Sequence, residues 1–222
     1  MDRTALIQAL GAIAYGERKA YDEAKAKAET ALDDDERRTW RTIAAEELRH
    51  HKGFVARLEA LGADPDRAMR PYRGMLDRYH GQAPGDEIEA AVWSYLGEGI
   101  ADDLLVWLRK VVDDDTAAFV DRVLVDEEGH NDFAVQRLNA LLDADPDNRR
   151  RAGRAVTGMA RRMLLSGSVS PLRLGPFLRL GHQRELLAAV FGGLDRRVRA
   201  LHIGTRDLVG LGRVRGAGAP GL

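Results

Sequence analysis

Six side chains in this sequence suit metal binding, and they recur in a two-fold pattern. Glu17 is followed 30 positions later by Glu47-Leu48-Arg49-His50, and Glu98 is followed 29 positions later by Glu127-Glu128-Gly129-His130. The two units are offset by 81 positions at the lone glutamates and by 80 at the second ones. Helical residues three apart share a face, so each Glu-x-x-His offers a carboxylate oxygen and an imidazole nitrogen to one point. Four carboxylates and two histidines are the ligand set of a carboxylate-bridged two-metal site inside a four-helix bundle. In that arrangement Glu47 and Glu127 bridge, Glu17 and Glu98 are terminal ligands, and His50 and His130 each cap one metal. Oxygen and nitrogen donors without sulfur suit iron first and manganese second.

Four helices must bring these groups together. Leu6, Leu10, Ile13, Tyr21 and Ala24 share a stripe with Glu17 on a helix from about Thr4 to Glu29. Trp40, Ile43, Phe54 and Leu58 do the same for Glu47 and His50, on a helix opened by Asp33 with Glu36 three later and stopped by Gly62. The third runs from Asp86 to about Val112 with Ile88, Val92, Tyr95 and Leu105 beside Glu98. The fourth runs from Asp114 to about Leu142 with Phe119, Val123, Ala134 and Leu138 beside Glu127 and His130. A carboxylate on such a face is costly to bury unless a cation compensates it. Acidic turns near Asp33 and Asp114 fall midway within each unit. In an antiparallel hairpin, the lone glutamate and the Glu-x-x-His therefore meet at equal height, roughly 21 Å from the turn.

The second and third bundle helices are joined by Gly62 to Gly85, which holds Pro65, Pro71 and Pro84 and has room for a short helix from Ala68 to Tyr79. A segment of about 24 residues can span ~80 Å, against ~40 Å for a bundle helix, so it can cross the whole bundle and leave those two helices parallel. Gly97 and Gly99 flank Glu98. Either a neighbour packs closely there or the helix loosens beside the site. The expected fold is all-α, with a four-helix bundle over residues 1–143 and a basic helical extension over 144–210. That extension reads as a helix from Asn148 to Ser166, an irregular stretch through Pro176, and a helix from Gln183 to about Val209. Residues 211–222 read as a disordered glycine-rich tail.

The chain has 222 residues, 45% hydrophobic and 31% charged, which is enough apolar material for a sizeable core. No apolar run approaches ~18 residues, so no membrane span is expected. The N-terminus lacks a basic start followed by an apolar run, and the expected location is the cytoplasm. With no cysteine there is no disulfide, thiolate nucleophile or thiolate-bound iron relay, so a redox metal here needs an external electron donor. From Arg149 onward 15 arginines face three acids, for +12, which leaves −13 on residues 1–148. The basic segment either packs on the acidic bundle or offers a phosphate-binding surface. Asp102, one turn beyond Glu98, is either an acceptor behind a histidine N–H or a capping or surface acid. Glu46 and Glu128 point about 100° away from the ligands and are expected outside. His51, His80, His182 and His202 read as surface or packing residues. Tyr15, Tyr21, Trp93 and Tyr95 read as core, with electron transfer near the site as the other reading.

From about Leu10 to Leu142 the chain resembles the ferritin-like superfamily, and within it the proteins related to the tRNA hydroxylase MiaE. The similar stretches are Ala14-Tyr15-Gly16-Glu17, Ala44-Ala45-Glu46-Glu47-Leu48-Arg49-His50, Tyr95-Leu96-Gly97-Glu98-Gly99-Ile100-Ala101-Asp102-Asp103, and Gly129-His130 with Phe133-Ala134-Val135. The resemblance implies a ferritin-like bundle with a non-haem di-iron site at the six residues, O₂ as co-substrate, and hydroxylation of a modified tRNA or another organic substrate. It admits an external reductase, tRNA at the arginine-rich segment and a second copy in a homodimer as partners. The same ligands serve a second reading, iron oxidation, storage or peroxide scavenging as in ferritins and rubrerythrins. A metal-free partner-binding bundle is the third.

Overall fold

Acidic caps open the four long helices. Asp2 accepts from the Ala5 amide, Asp33 from Glu36, Asp86 from Glu89 and Asp113 from Thr116. Each satisfies a first-turn amide that has no partner within its helix. The computed structural model describes residues 2–167 and 170–203, and among these residues the fold is all-α, as the periodicity requires. α1 (Arg3–Thr30) and α2 (Asp34–Ala60) form one hairpin, and α4 (Glu87–Val111) and α5 (Asp114–Ala144) form the other. α3 (Pro65–His80) lies in the connection between them. α6 (Asp147–Ser166), α7 (Pro171–Arg179) and α8 (Gln183–Ala200) follow.

Contacts at opposite ends fix the helix directions. α2 and α5 run antiparallel: Arg137 pairs with Glu36 at 2.7 Å near one end, and the Phe54 and Phe119 rings lie 4.9 Å apart near the other. α1 and α4 are antiparallel too. Lys27 reaches Ser94 at one end, while Leu6 and Leu10 share an apolar cluster with Trp107 and Leu108 at the other. α2 and α4 are therefore parallel, which only a long crossover permits. Within that crossover α3 packs along α1, held by a 2.8 Å bond from the Tyr15 hydroxyl to Asp77 and a 2.8 Å contact of His80 with Glu23. Gly11 makes this crossing possible, because a Cβ there would lie 2.5 Å from the Ala68 carbonyl oxygen.

Of three apolar regions among the described residues, two draw on the C-terminal third. One joins Leu6, Leu10, Phe54, Leu58, Trp107 and Val123 with Phe177, Leu180 and Leu186 from the C-terminal third. The other joins Ile88, Val92, Leu96, Leu138 and Leu142 with Ala152, Ala155 and Met159 of α6. Charge reinforces this packing: Arg151 pairs with Asp86 at 3.0 Å, Arg179 with Asp2 at 3.4 Å and Arg197 with Asp103 at 2.6 Å. The basic segment thus packs on the acidic bundle at several places. Among the described residues, no helix is long and apolar enough to cross a membrane.

The stretch expected to be irregular through Pro176 instead contains α7. Pro171 opens that helix, where a missing amide proton is no loss, and Pro176 removes only one bond from a nine-residue segment. The last helix ends at Ala200 rather than near Val209. The remainder of that expected helix, and the expected disordered tail, lie outside the described residues.

Candidate metal centre

At mid-height the four long helices turn acids and imidazoles inward. Glu17 of α1, Glu47 and His50 of α2, and Glu127 of α5 are all buried, with ligand atoms all within 4.8 Å of one another. His50 Nδ1 lies 3.3 Å from Glu127 Oε1, 3.6 Å from Glu47 Oε2 and 3.7 Å from Glu17 Oε2. His130 Nδ1 lies 3.1 Å from Glu127 Oε2 and 3.3 Å from Glu47 Oε1. Each of these two central carboxylates therefore turns one oxygen to each histidine, and the imidazole centroids stand 6.2 Å apart.

The far nitrogens are held crosswise. His50 Nε2 sits 2.9 Å from Asp126 Oδ2, and His130 Nε2 sits 2.9 Å from Glu46 Oε2. Asp126 is fixed in turn by Arg49 at 2.8 Å. Glu46 and Asp126 each immediately precede a central glutamate, so α2 orients the histidine of α5 and α5 orients the histidine of α2. This corrects two expectations. Glu46 is half-buried at the seam rather than outside, and the acceptor behind a histidine is not Asp102. A side chain 100° from its neighbour's direction still meets a partner helix when that helix lies on its flank. Glu128 is exposed, as expected. The repeat is in fact acid-Glu-x-x-His, with the extra acid, Glu46 or Asp126, immediately before each Glu-x-x-His.

Glu98 stands outside the four-residue convergence. Ser94, one turn earlier, donates to its Oε1 at 2.6 Å, while Oε2 is enclosed and has no hydrogen-bond partner. Glu98 and His130 are among the residues that line a cavity of about 40 Å³ between the bundle helices. Asp102 is buried and accepts from Asn131, which also donates to the Glu127 carbonyl at 3.1 Å; its Oδ1 is unpartnered. α4 is unbroken past Gly97 and Gly99. The Arg197 side chain fills the space beside Gly99 and the Tyr79 hydroxyl lies against Gly97, so close packing, not a loosened helix, accounts for both.

The remaining candidates serve packing and surface roles. His51 contacts the Ala14 carbonyl, His80 contacts Glu23 and His182 contacts Glu185, while His202 lies beyond α8. Trp93 donates to the Ala155 carbonyl, Tyr15 binds Asp77, and Tyr21 and Tyr95 pack on apolar clusters.

The electrostatics are those of acids and imidazoles buried against one another. Burial pulls His50 down, but Glu127, Glu17 and Glu47 around it push it up to about 12. His130, also pulled down by burial, is pushed up to about 11 by Glu127 and Glu47. Burial raises Glu47, yet the two imidazoles and Glu17 bring it down to about 2. Glu17 is held well above the usual carboxylate range by burial, and burial pushes Glu98 and Asp102 up to about 7. Glu47 Oε2 and His50 Nδ1 are buried without an aligned hydrogen-bond partner. Buried ligand atoms left without partners in this way, converging inside a bundle, fit a bound metal ion.

A family model described as "Ferritin-like domain, actinomycetes" matches residues 2–174, from the cap of α1 through α6 into α7. No curated protein matches the chain.

Proposed function

The chain belongs to the ferritin-like domain family of actinomycetes, and from that premise we propose that it is a non-haem di-iron protein that uses O₂ to oxidise or hydroxylate an organic substrate. The observation that carries this is the buried group Glu17, Glu47, His50 and Glu127, with His130 closing it from α5. Glu47 and Glu127 would bridge two ions, because each already faces both histidines. Glu17 would be terminal on the His50 side, and Glu98 would complete the set from the His130 side. Two redox-active ions held by these residues would supply O₂ chemistry and electron transfer to the site. The protein's part is to fix both imidazoles through Glu46 and Asp126, to keep the carboxylates converged, and to exclude water with its apolar regions. Electrons come from an external reductase, since the chain has no cysteine to hold a relay.

A small organic substrate suits the cavity lined by Glu98 and His130. The MiaE-like form of the proposal, with a tRNA side chain as substrate, requires tRNA binding that weakens steeply with salt. O₂ uptake by the reduced, iron-loaded protein separates the readings. An oxidase consumes O₂ repeatedly with a reductant, keeps about two irons per chain, and loses at least ~100-fold in rate on Glu47→Ala or His130→Ala. Accumulation of many irons per chain, with no continued turnover, favours storage.

A further inference from the structure

The two halves of the centre are not alike, although the sequence repeat that builds them is. On the His50 side, Glu17 stands in the convergence with Glu47, Glu127 and His50. Its counterpart Glu98 stands apart, with Oε1 held by the Ser94 hydroxyl at 2.6 Å. Ser94 accepts in turn from Lys27 Nζ at 3.3 Å, and Lys27 is seated over the Trp40 ring at 4.4 Å. The lysine's charge acts on Glu98 and on Glu23, one turn earlier on α1, and Glu23 is itself engaged by His80 at 2.8 Å. An ammonium behind a hydroxyl polarises the hydrogen bond which that hydroxyl donates, and it compensates a nearby buried carboxylate. The chain thus supplies Glu98 with a cation of its own.

The repeat shows that this arrangement was added to one half only. Four positions before Glu17, where Ser94 has its equivalent, the residue is Ile13, which has no side-chain donor. Eighty-one positions after Lys27 the residue is Leu108, fully buried and apolar. Lys27, Ser94, Glu98 and His130 all line the cavity of about 40 Å³, so unfilled space borders the Glu98 side. We infer that Lys27 and Ser94 are positioning residues that latch Glu98 away from the His130 side of the centre, so that the two metal positions differ in affinity and fill in order, the His50 side first. The inference rests on reading the cluster as a two-ion centre. For Glu98 to complete the His130 side, the Ser94 bond and the Lys27 charge behind it must be given up, and that cost falls on the second ion alone.

The test titrates metal-free protein with manganous ion in the absence of oxygen. Calorimetry reads the affinities, and electron paramagnetic resonance separates an isolated ion from a coupled pair. The wild type should show an isolated-ion signal up to about one equivalent and a second step at least about tenfold weaker than the first. Ser94→Ala and Lys27→Met should each tighten the second step at least about fivefold and leave the first within about threefold. Ser94→Thr and Lys27→Arg, which keep the hydroxyl and the charge, should keep the wild-type order. Circular dichroism confirms that each variant is folded. Two equal steps in the wild type overturn the inference, as does a second step that Ser94→Ala leaves unmoved or weakens. A shift of both steps together also overturns it, because that is the mark of a changed overall field. Manganese retained no better than by Glu47→Ala removes the two-ion centre and the inference with it, whereas equal steps remove the inference and leave the centre standing.

Discussion

At the scale of residues, the site depends on groups that were partly visible in the sequence. The paired Glu-x-x-His motifs and Glu17 pointed to the convergence, because their spacing puts them on apolar helix faces, whereas Glu98, on such a face too, stands outside it. Glu46 and Asp126 were not found, since helical direction within one helix says nothing about which neighbour lies on its flank. Glu46→Gln or Asp126→Asn is expected to lower metal affinity about 10–100-fold with helical content unchanged, measured by competition with a chelator. The metal-free protein also has a signed pH dependence. His50 and His130 bind protons more tightly folded than unfolded, so their stabilisation is complete below about pH 6.5 and falls as pH rises towards about 12 and about 11. Glu17, Glu98 and Asp102 act in the same direction, the last two in the window ending at about 7. Glu47, brought down to about 2, changes only in acid. The melting temperature of metal-free protein should therefore be higher at pH 6 than at pH 8.5, by roughly 3–10 °C. Metal reverses the trend, because binding requires the imidazoles deprotonated.

At the scale of elements, the hairpin symmetry and the crossover followed from turn positions and chain reach, and α3 proved a longer helix than expected. α7 was missed because its prolines read as breakers, although one sits where a helix begins. The approach of α3 to α1 could not be read, because Gly11 resembles any other helical glycine until its neighbour is known. Gly11→Ala would press a Cβ onto the Ala68 carbonyl, which is backbone and cannot swing aside. A loss of about 1–3 kcal/mol is expected, measured by denaturant unfolding. An unchanged midpoint would show that the two helices can separate freely.

At the scale of the whole molecule, the opposed charges of the two parts of the chain meet in pairs such as Arg197 with Asp103, and the C-terminal helices complete two apolar regions rather than hanging from a finished bundle. The charge asymmetry was plain in the sequence; which acids the arginines would reach was not, since that depends on tertiary placement. Ending the chain after Ala144 would uncover Trp107, Leu96 and Val92 on α4, and a fall in melting temperature of more than ~10 °C is expected, or loss of a cooperative transition. The whole fold gathers buried acids and imidazoles at its centre, and the most direct test is to count what binds there. Metal-free protein is titrated with ferrous ion without oxygen, desalted, and assayed for iron per chain. The expected result is about two irons per chain, with release of protons on binding and retention near background for Glu47→Ala. Wild-type protein that retains no iron above that variant would contradict the metal centre outright.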